Sequence, residues 1–102
     1  MRSREQLSLH VLLSLTDTVD RRPTMHFAYI VRCADGSLYA GYARDPHARE
    51  AAHNNGRGAR YTSGRRPVRL VYSEAFEDKG GALRRECQIK RLTRRQKEAL
   101  LT

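Results

Sequence analysis

The chain has 102 residues, 39% of them apolar, which allows one domain with one modest core and excludes a second. Twenty Lys and Arg against eleven Asp and Glu give a net charge of +9 and a pI near 10.4, which points to a polyanionic partner, most often nucleic acid. No apolar run reaches the length of a membrane span, and two cysteines without metal-ligand spacing exclude both a disulfide framework and a cysteine-rich metal site.

Residues 1–24 stand apart. The stretch "QLSLHVLLSLTDTV" follows Arg2 and Arg4 and superficially suggests a signal peptide, but Glu5 and His10 interrupt it and no small-residue cleavage site follows. "DRRPT" reads as a linker, and Met25 comes next. We expect a poorly ordered extension, or a mis-called start, ahead of a folded unit at 25–102.

"FAYIVRC", Phe27 to Cys33, is rich in strand formers, and "LYAGYA", Leu38 to Ala43, is its partner. Asp35-Gly36 between them supplies a hairpin turn. Asp45 as N-cap and Pro46 as first helical residue start a helix that runs to about Asn55 and ends at Gly56 and Gly58. "RGARYTSGRRP", Arg57 to Pro67, reads as a basic loop with one aromatic inside it. A third strand follows from Val68 to about Ser73. Gly80-Gly81 precede a second helix, "ALRRECQIKRL", and Thr93 with Gln96 forms a capping box for a last short helix, "RRQKEALL". The order ββαβαα implies an α/β fold, a small three-stranded antiparallel sheet flanked by helices. Cys33 and Cys87 both fall in apolar patterns, as reduced core cysteines of a cytoplasmic protein would.

Arginine far outnumbers lysine after Met25, and its planar fork suits bidentate phosphate contacts. Tyr29 and Tyr39 face each other across the hairpin, and Gly41 leaves room for a ligand or backbone beside Tyr39. Arg49 and His53 are one turn apart on the first helix, with Ala48, Ala51 and Ala52 as its packing face. Taken alone, that stripe reads as solvated, with His53 near the helix C-terminus where a cation is favoured. Glu86 points toward the apolar side of the second helix, marked by Ala82, Leu83, Cys87 and Ile89. It suits either an i,i+4 pair with Lys90 or a hard divalent cation such as Mg²⁺, which uses one or two carboxylates with waters and phosphates completing the shell. Two tyrosines, an arginine, a histidine and a carboxylate in a basic domain are the materials of phosphodiester cleavage: charge neutralisation at phosphorus, metal binding and proton transfer.

In chain order these residues resemble the GIY-YIG nucleases. "FAY", Phe27 to Tyr29, looks like the first motif, with Phe27 and Ala28 in place of its Gly and Ile; "YAG", Tyr39 to Gly41, looks like the second, with Ala40 in place of Ile. Arg49 stands eight residues beyond that glycine, where the family places its arginine, and His53 and Glu86 fall at the family's His-or-Tyr and glutamate positions. "GRGARYTSGRRPVRLVY" and "LTRRQKEAL" resemble segments of the small single-domain bacterial branch. The resemblance covers about 25–102. It implies an endonuclease that hydrolyses DNA phosphodiester bonds with Mg²⁺ or Mn²⁺, in DNA repair or processing. Tyr29 would then be general base or water-positioner, Tyr39 would orient water or phosphate, Arg49 would stabilise the pentavalent phosphate, His53 would assist proton transfer or bind phosphate, and Glu86 would hold the metal. Many members carry a further asparagine beyond the glutamate; this chain has none after Asn55. Larger relatives attach DNA-recognition domains. Here DNA contacts, mainly to phosphates, fall to Arg57, Arg60, Arg65 and Arg66, to a dimer, or to a partner in a repair complex. The alternative is a nucleic-acid-binding module or adaptor of the same fold without catalysis.

Overall fold

A computed structural model describes residues 25–102; the reading of 1–24 as an extension lies outside the described residues. Seven elements follow in chain order: β1 (His26–Arg32), β2 (Leu38–Ala43), α1 (Pro46–Asn54), α2 (Arg60–Ser63), β3 (Arg69–Phe76), α3 (Lys79–Lys90) and α4 (Arg94–Leu100). The sheet order is β2-β1-β3 and every pairing is antiparallel. The expected ββαβαα order therefore holds, with one added turn of helix.

The hairpin forms where Asp35-Gly36 placed it. Gly36 adopts φ 87°, a left-handed conformation open to glycine, and Asp35 Oδ1 accepts from the Ser37 backbone N–H at 3.0 Å. Alternation along β1 then divides the core in two. Ala28 and Ile30 face one way, with Leu38, Ala40 and Ile89 of α3; Tyr29, Val31 and Cys33 face the other way, with Ala43 and Val68.

Helix α1 is bound to the edge strand β3 by side chains that reach backbone. Glu50 Oε2 accepts from Leu70 N–H at 2.8 Å, while Asn54 accepts from Val68 N–H at 2.7 Å and donates to the Val68 carbonyl at 2.9 Å. These bonds satisfy backbone groups that an edge strand would otherwise leave open. At the other end of the chain, Arg32 donates through both nitrogens to Glu98, at 2.9 and 3.0 Å, and Arg94 joins the same carboxylate. The two guanidinium groups hold Glu98 down at about 2, well below the usual carboxylate range, so this link of α4 to β1 persists into acid.

Three boundaries differ from the sequence reading. Strand β3 continues to Phe76, because β1 pairs with it as far as His26 opposite Phe76. Helix α3 starts at Lys79 and includes both glycines, because the Asp78 side chain accepts from Gly81 N–H at 2.7 Å and caps it. The basic loop contains α2, whose first turn closes onto the Ala59 carbonyl. Among the cysteines, Cys33 is buried as expected but Cys87 is exposed, and so is Leu83; the buried stripe of α3 is Ala82 and Ile89, one helical repeat of seven apart. No helix among the described residues is long and apolar enough to cross a membrane.

Candidate active site

The first helix carries the centre of the site, on a face that was not expected. Ala48 and Ala51 are exposed, and Ala52 is only half-buried. The inward stripe is Pro46, Glu50 and His53, with His53 fully buried. Three residues on from Glu50, the histidine is carried under the basic loop rather than into solvent, and Arg49 stays exposed beside it.

A buried polar group must find partners, and His53 has them on both sides. Its Nε2 lies 2.9 Å from the Tyr29 hydroxyl, and its Nδ1 lies 2.8 Å from Thr62 Oγ1. The Tyr29 and Tyr39 rings both meet the imidazole edge-on, with centroids 6.1 and 5.6 Å away. In the hairpin, Gly41 rather than Tyr39 pairs with Tyr29, so the two tyrosines are diagonal neighbours on one face. Gly41 leaves room, but for the Tyr29 hydroxyl: a Cβ there would sit 2.5 Å from that oxygen. The expectation of open space for a ligand beside Tyr39 is corrected accordingly.

Tyr29 is where the electrostatics of the site meet. Burial pushes its hydroxyl above the ordinary tyrosine value, and Tyr39 and Glu86 add to that rise; the Arg49 guanidinium beside the hydroxyl pulls it down. Glu86 and Arg49, on different helices, therefore act on the same oxygen. Burial also lowers the His53 pKa, with Arg49 reinforcing the effect, so the imidazole is neutral at pH 7. The linkage has a definite sign. A histidine whose folded pKa lies below its unfolded value near 6.5 binds its proton more tightly when unfolded, so its contribution to stability is present above pH 6.5 and is lost as pH falls through the depressed folded value. Equilibrium denaturation at pH 7.5 and pH 5 should show this acid loss, and His53→Gln should flatten the pH dependence.

Glu86 is partly buried, its side chain 17% exposed, and pairs with Lys90 at 3.2 Å. Lys90 Nζ is also 5.9 Å from the Tyr39 ring, so this side of α3 comes round the sheet edge to the tyrosine face. The i,i+4 pair is thus formed, and the Glu86 charge is near enough to Tyr29 to raise its pKa. Among the described residues no group of three His, Cys, Asp or Glu side chains gathers as a metal cage. A lone half-buried carboxylate fits a cation that keeps its waters and takes further oxygens from a phosphate, as Mg²⁺ does.

The four loop arginines divide into two pairs. Arg65 donates to Asp35 and to the Tyr61 carbonyl and covers the Tyr61 ring at 4.0 Å; Arg66 donates to the Ser63 and Asn54 carbonyls. Both hold the loop. Arg57 and Arg60 are exposed and make no side-chain hydrogen bond to another described residue. Tyr61 also stacks on Tyr39, with centroids 5.7 Å apart.

Two residues close the back of the cluster without having been read from the sequence as part of a site. Thr62 is fully buried against His53, and Gly58 lies so near that a Cβ there would overlap the imidazole and the His53 backbone. The signal was "GRGARYT", where two glycines and a single threonine interrupt a basic stretch. A surface depression of about 660 Å³ lies elsewhere, beside Met25, Phe27, Pro46 and Leu70, and gathers no such set of interacting titratable groups. A shallower one of about 480 Å³ runs along Tyr42, Asp45 and Arg49 and gives access to the guanidinium.

Comparison with known families finds that the GIY-YIG catalytic domain matches residues 25–99. The chain belongs to the GIY-YIG family. A UPF0213 protein of Staphylococcus aureus is 58% identical over 76 residues, which cover 74% of this chain and 93% of the relative. The solution NMR structure of a protein from E. faecalis is 44% identical, covers 74% of this chain and 80% of that one, and superposes with a TM-score of 0.51. This GIY-YIG domain is thus of the small bacterial kind that its relatives represent.

Proposed function

We propose that this GIY-YIG domain is a metal-dependent endonuclease that hydrolyses DNA phosphodiester bonds in DNA repair or processing. The observation that carries the proposal is the 2.9 Å contact between Tyr29 Oη and the neutral, buried His53 Nε2, with Arg49 and Glu86 both acting on that hydroxyl. Burial alone would leave Tyr29 protonated and inert. A bare imidazole nitrogen beside it can take its proton and leave an oxygen able to activate water. Arg49 is exposed, so its fork can meet a phosphate and balance charge building on the phosphoryl oxygens. Tyr39 lines the same face and would orient water or phosphate. Glu86 would hold Mg²⁺ or Mn²⁺, which when bound supplies a Lewis acid and a positive charge next to the phosphate. Arg57 and Arg60 would position the DNA backbone; they give affinity without sequence readout.

One observation favours the alternative of a non-catalytic DNA-binding module. Lys90 already neutralises Glu86, so a cation must displace or share that ammonium. A single comparison decides between them. Purified protein should nick supercoiled plasmid with Mg²⁺ and not with EDTA, and Glu86→Ala should abolish nicking while salt-dependent DNA binding survives. Binding without metal-dependent products from the wild-type chain would establish the module instead.

A further inference from the structure

The hydrogen-bond chain behind Tyr29 extends one residue further than a tyrosine-histidine pair requires, and its last member fixes where a proton sits. Thr62 Oγ1 lies 2.9 Å from the Ala59 carbonyl and 2.8 Å from His53 Nδ1. Two oxygens at 2.9 Å need a hydrogen between them, and a threonine hydroxyl has one. That hydrogen points at Ala59, whose carbonyl also accepts the Thr62 and Ser63 N–H groups at 3.1 and 3.2 Å. The hydroxyl therefore turns a lone pair toward His53, and Nδ1 must be the nitrogen that carries hydrogen. The neutral ring then has a bare Nε2, and this is the nitrogen that faces the Tyr29 hydroxyl. A competing contact exists: the Ala59 N–H approaches Nδ1 at 3.4 Å and would favour the opposite tautomer. It is much longer than the Thr62 contact, and choosing it would leave the Thr62 and Ala59 oxygens in repulsion.

We propose that Thr62 is a positioning residue for the nuclease site: by accepting from His53 Nδ1 it holds the imidazole in the tautomer whose Nε2 can take the proton of Tyr29. The proposal rests on the reading of Tyr29 and His53 as an acid-base pair. When the proton moves, it leaves Tyr29 Oη with its bonding pair behind on oxygen, and it arrives on Nε2. The products are a tyrosinate and an imidazolium whose Nδ1–H still points at Thr62. In the opposite tautomer Nε2 already bears hydrogen, and no proton can pass. Gly58 and Thr62 are the two sides of one wall. The glycine lets the loop close over the ring, and the threonine sets which way the ring is protonated.

The test reads the tautomer itself. Long-range ¹H–¹⁵N correlation spectra of wild type should place the hydrogen of His53 on Nδ1. Thr62→Val keeps the shape and removes the acceptor, and should transfer population to the Nε2–H form. In the same variant, single-turnover cleavage of DNA with Mg²⁺ should fall by about tenfold to a hundredfold with the DNA Kd unchanged. Thr62→Ser should restore both. A wild-type spectrum with the hydrogen on Nε2 overturns the proposal, as does a valine variant with unaltered tautomer. The spectra judge Thr62 whether or not the domain cuts DNA, whereas absence of cleavage by wild type would count against the nuclease reading alone. A valine variant that fails to fold leaves the wild-type and serine spectra to decide.

Discussion

Arg49→Ala should lower the rate of Mg²⁺-dependent DNA cleavage by about 10²–10³-fold, the loss seen when one preorganised charge-stabilising group is removed from an active site. The fold should survive, because Arg49 is exposed and the packing stripe of α1 passes through Pro46, Glu50 and His53. The substitution removes two effects together. It takes away the cation available to a phosphate at the surface, and it removes the charge that lowers the pKa of Tyr29 against the rise caused by burial. Arg49→Lys should recover little, since a point charge cannot reproduce a fork aimed at both a hydroxyl and a phosphate. Single-turnover rates at saturating protein, with circular dichroism to verify the fold, would measure this. DNA affinity should fall far less than rate, because Arg57 and Arg60 still meet the backbone.

Gly58→Ala should have the largest effect on stability of any single methyl group added to the described domain. The new Cβ would overlap the His53 ring and stand 2.7 Å from the His53 Cα, which belongs to the backbone of α1 and cannot swing aside. Either the loop lifts from the helix or the imidazole leaves its two hydrogen bonds. Overpacking of this kind costs about 3 kcal/mol, a large fraction of the 5–15 kcal/mol that holds a small domain together. Gly64→Ala is the control. It is also in the basic loop, and a Cβ there meets nothing within 4 Å. Urea denaturation should separate the two, with Gly58→Ala shifted far to lower midpoint and Gly64→Ala near wild type.

The contrast between those glycines shows what could and could not be read from the sequence. Local signals were legible because the chain itself supplies their partners. Asp45 caps α1, Thr93 and Gln96 form their box, and Asp35-Gly36 turns the hairpin. Asp78 was an equally good cap but lay in front of two glycines, and glycine's poor helix propensity masked it. Candidate site residues could be proposed from their order along the chain. Their surroundings could not, because these depend on contacts between distant segments. His53 reads as a solvated cation on a helical wheel; only the return of the loop at Gly58 and Thr62 buries it and makes it neutral. Gly41 reads as an opening for a ligand, and only the hairpin register shows that Tyr29 fills it. Arg65 and Arg66 read as phosphate contacts like Arg57 and Arg60, and the sequence does not show that both also donate to carbonyls of the loop. Composition reports charge; folding decides which charges remain available.

These contacts converge on the Tyr29 hydroxyl, which makes one substitution decisive. Tyr29→Phe removes a single oxygen, leaves the ring to pack over Gly41, and spares Arg49, His53 and Glu86. The measurement is the initial rate of nicking of supercoiled plasmid in Mg²⁺ by the phenylalanine variant beside wild type, at equal DNA occupancy. If Tyr29 activates water with His53 as its proton acceptor, the rate should fall by at least about 10²-fold with binding intact. Nicking by Tyr29→Phe at the wild-type rate would contradict it.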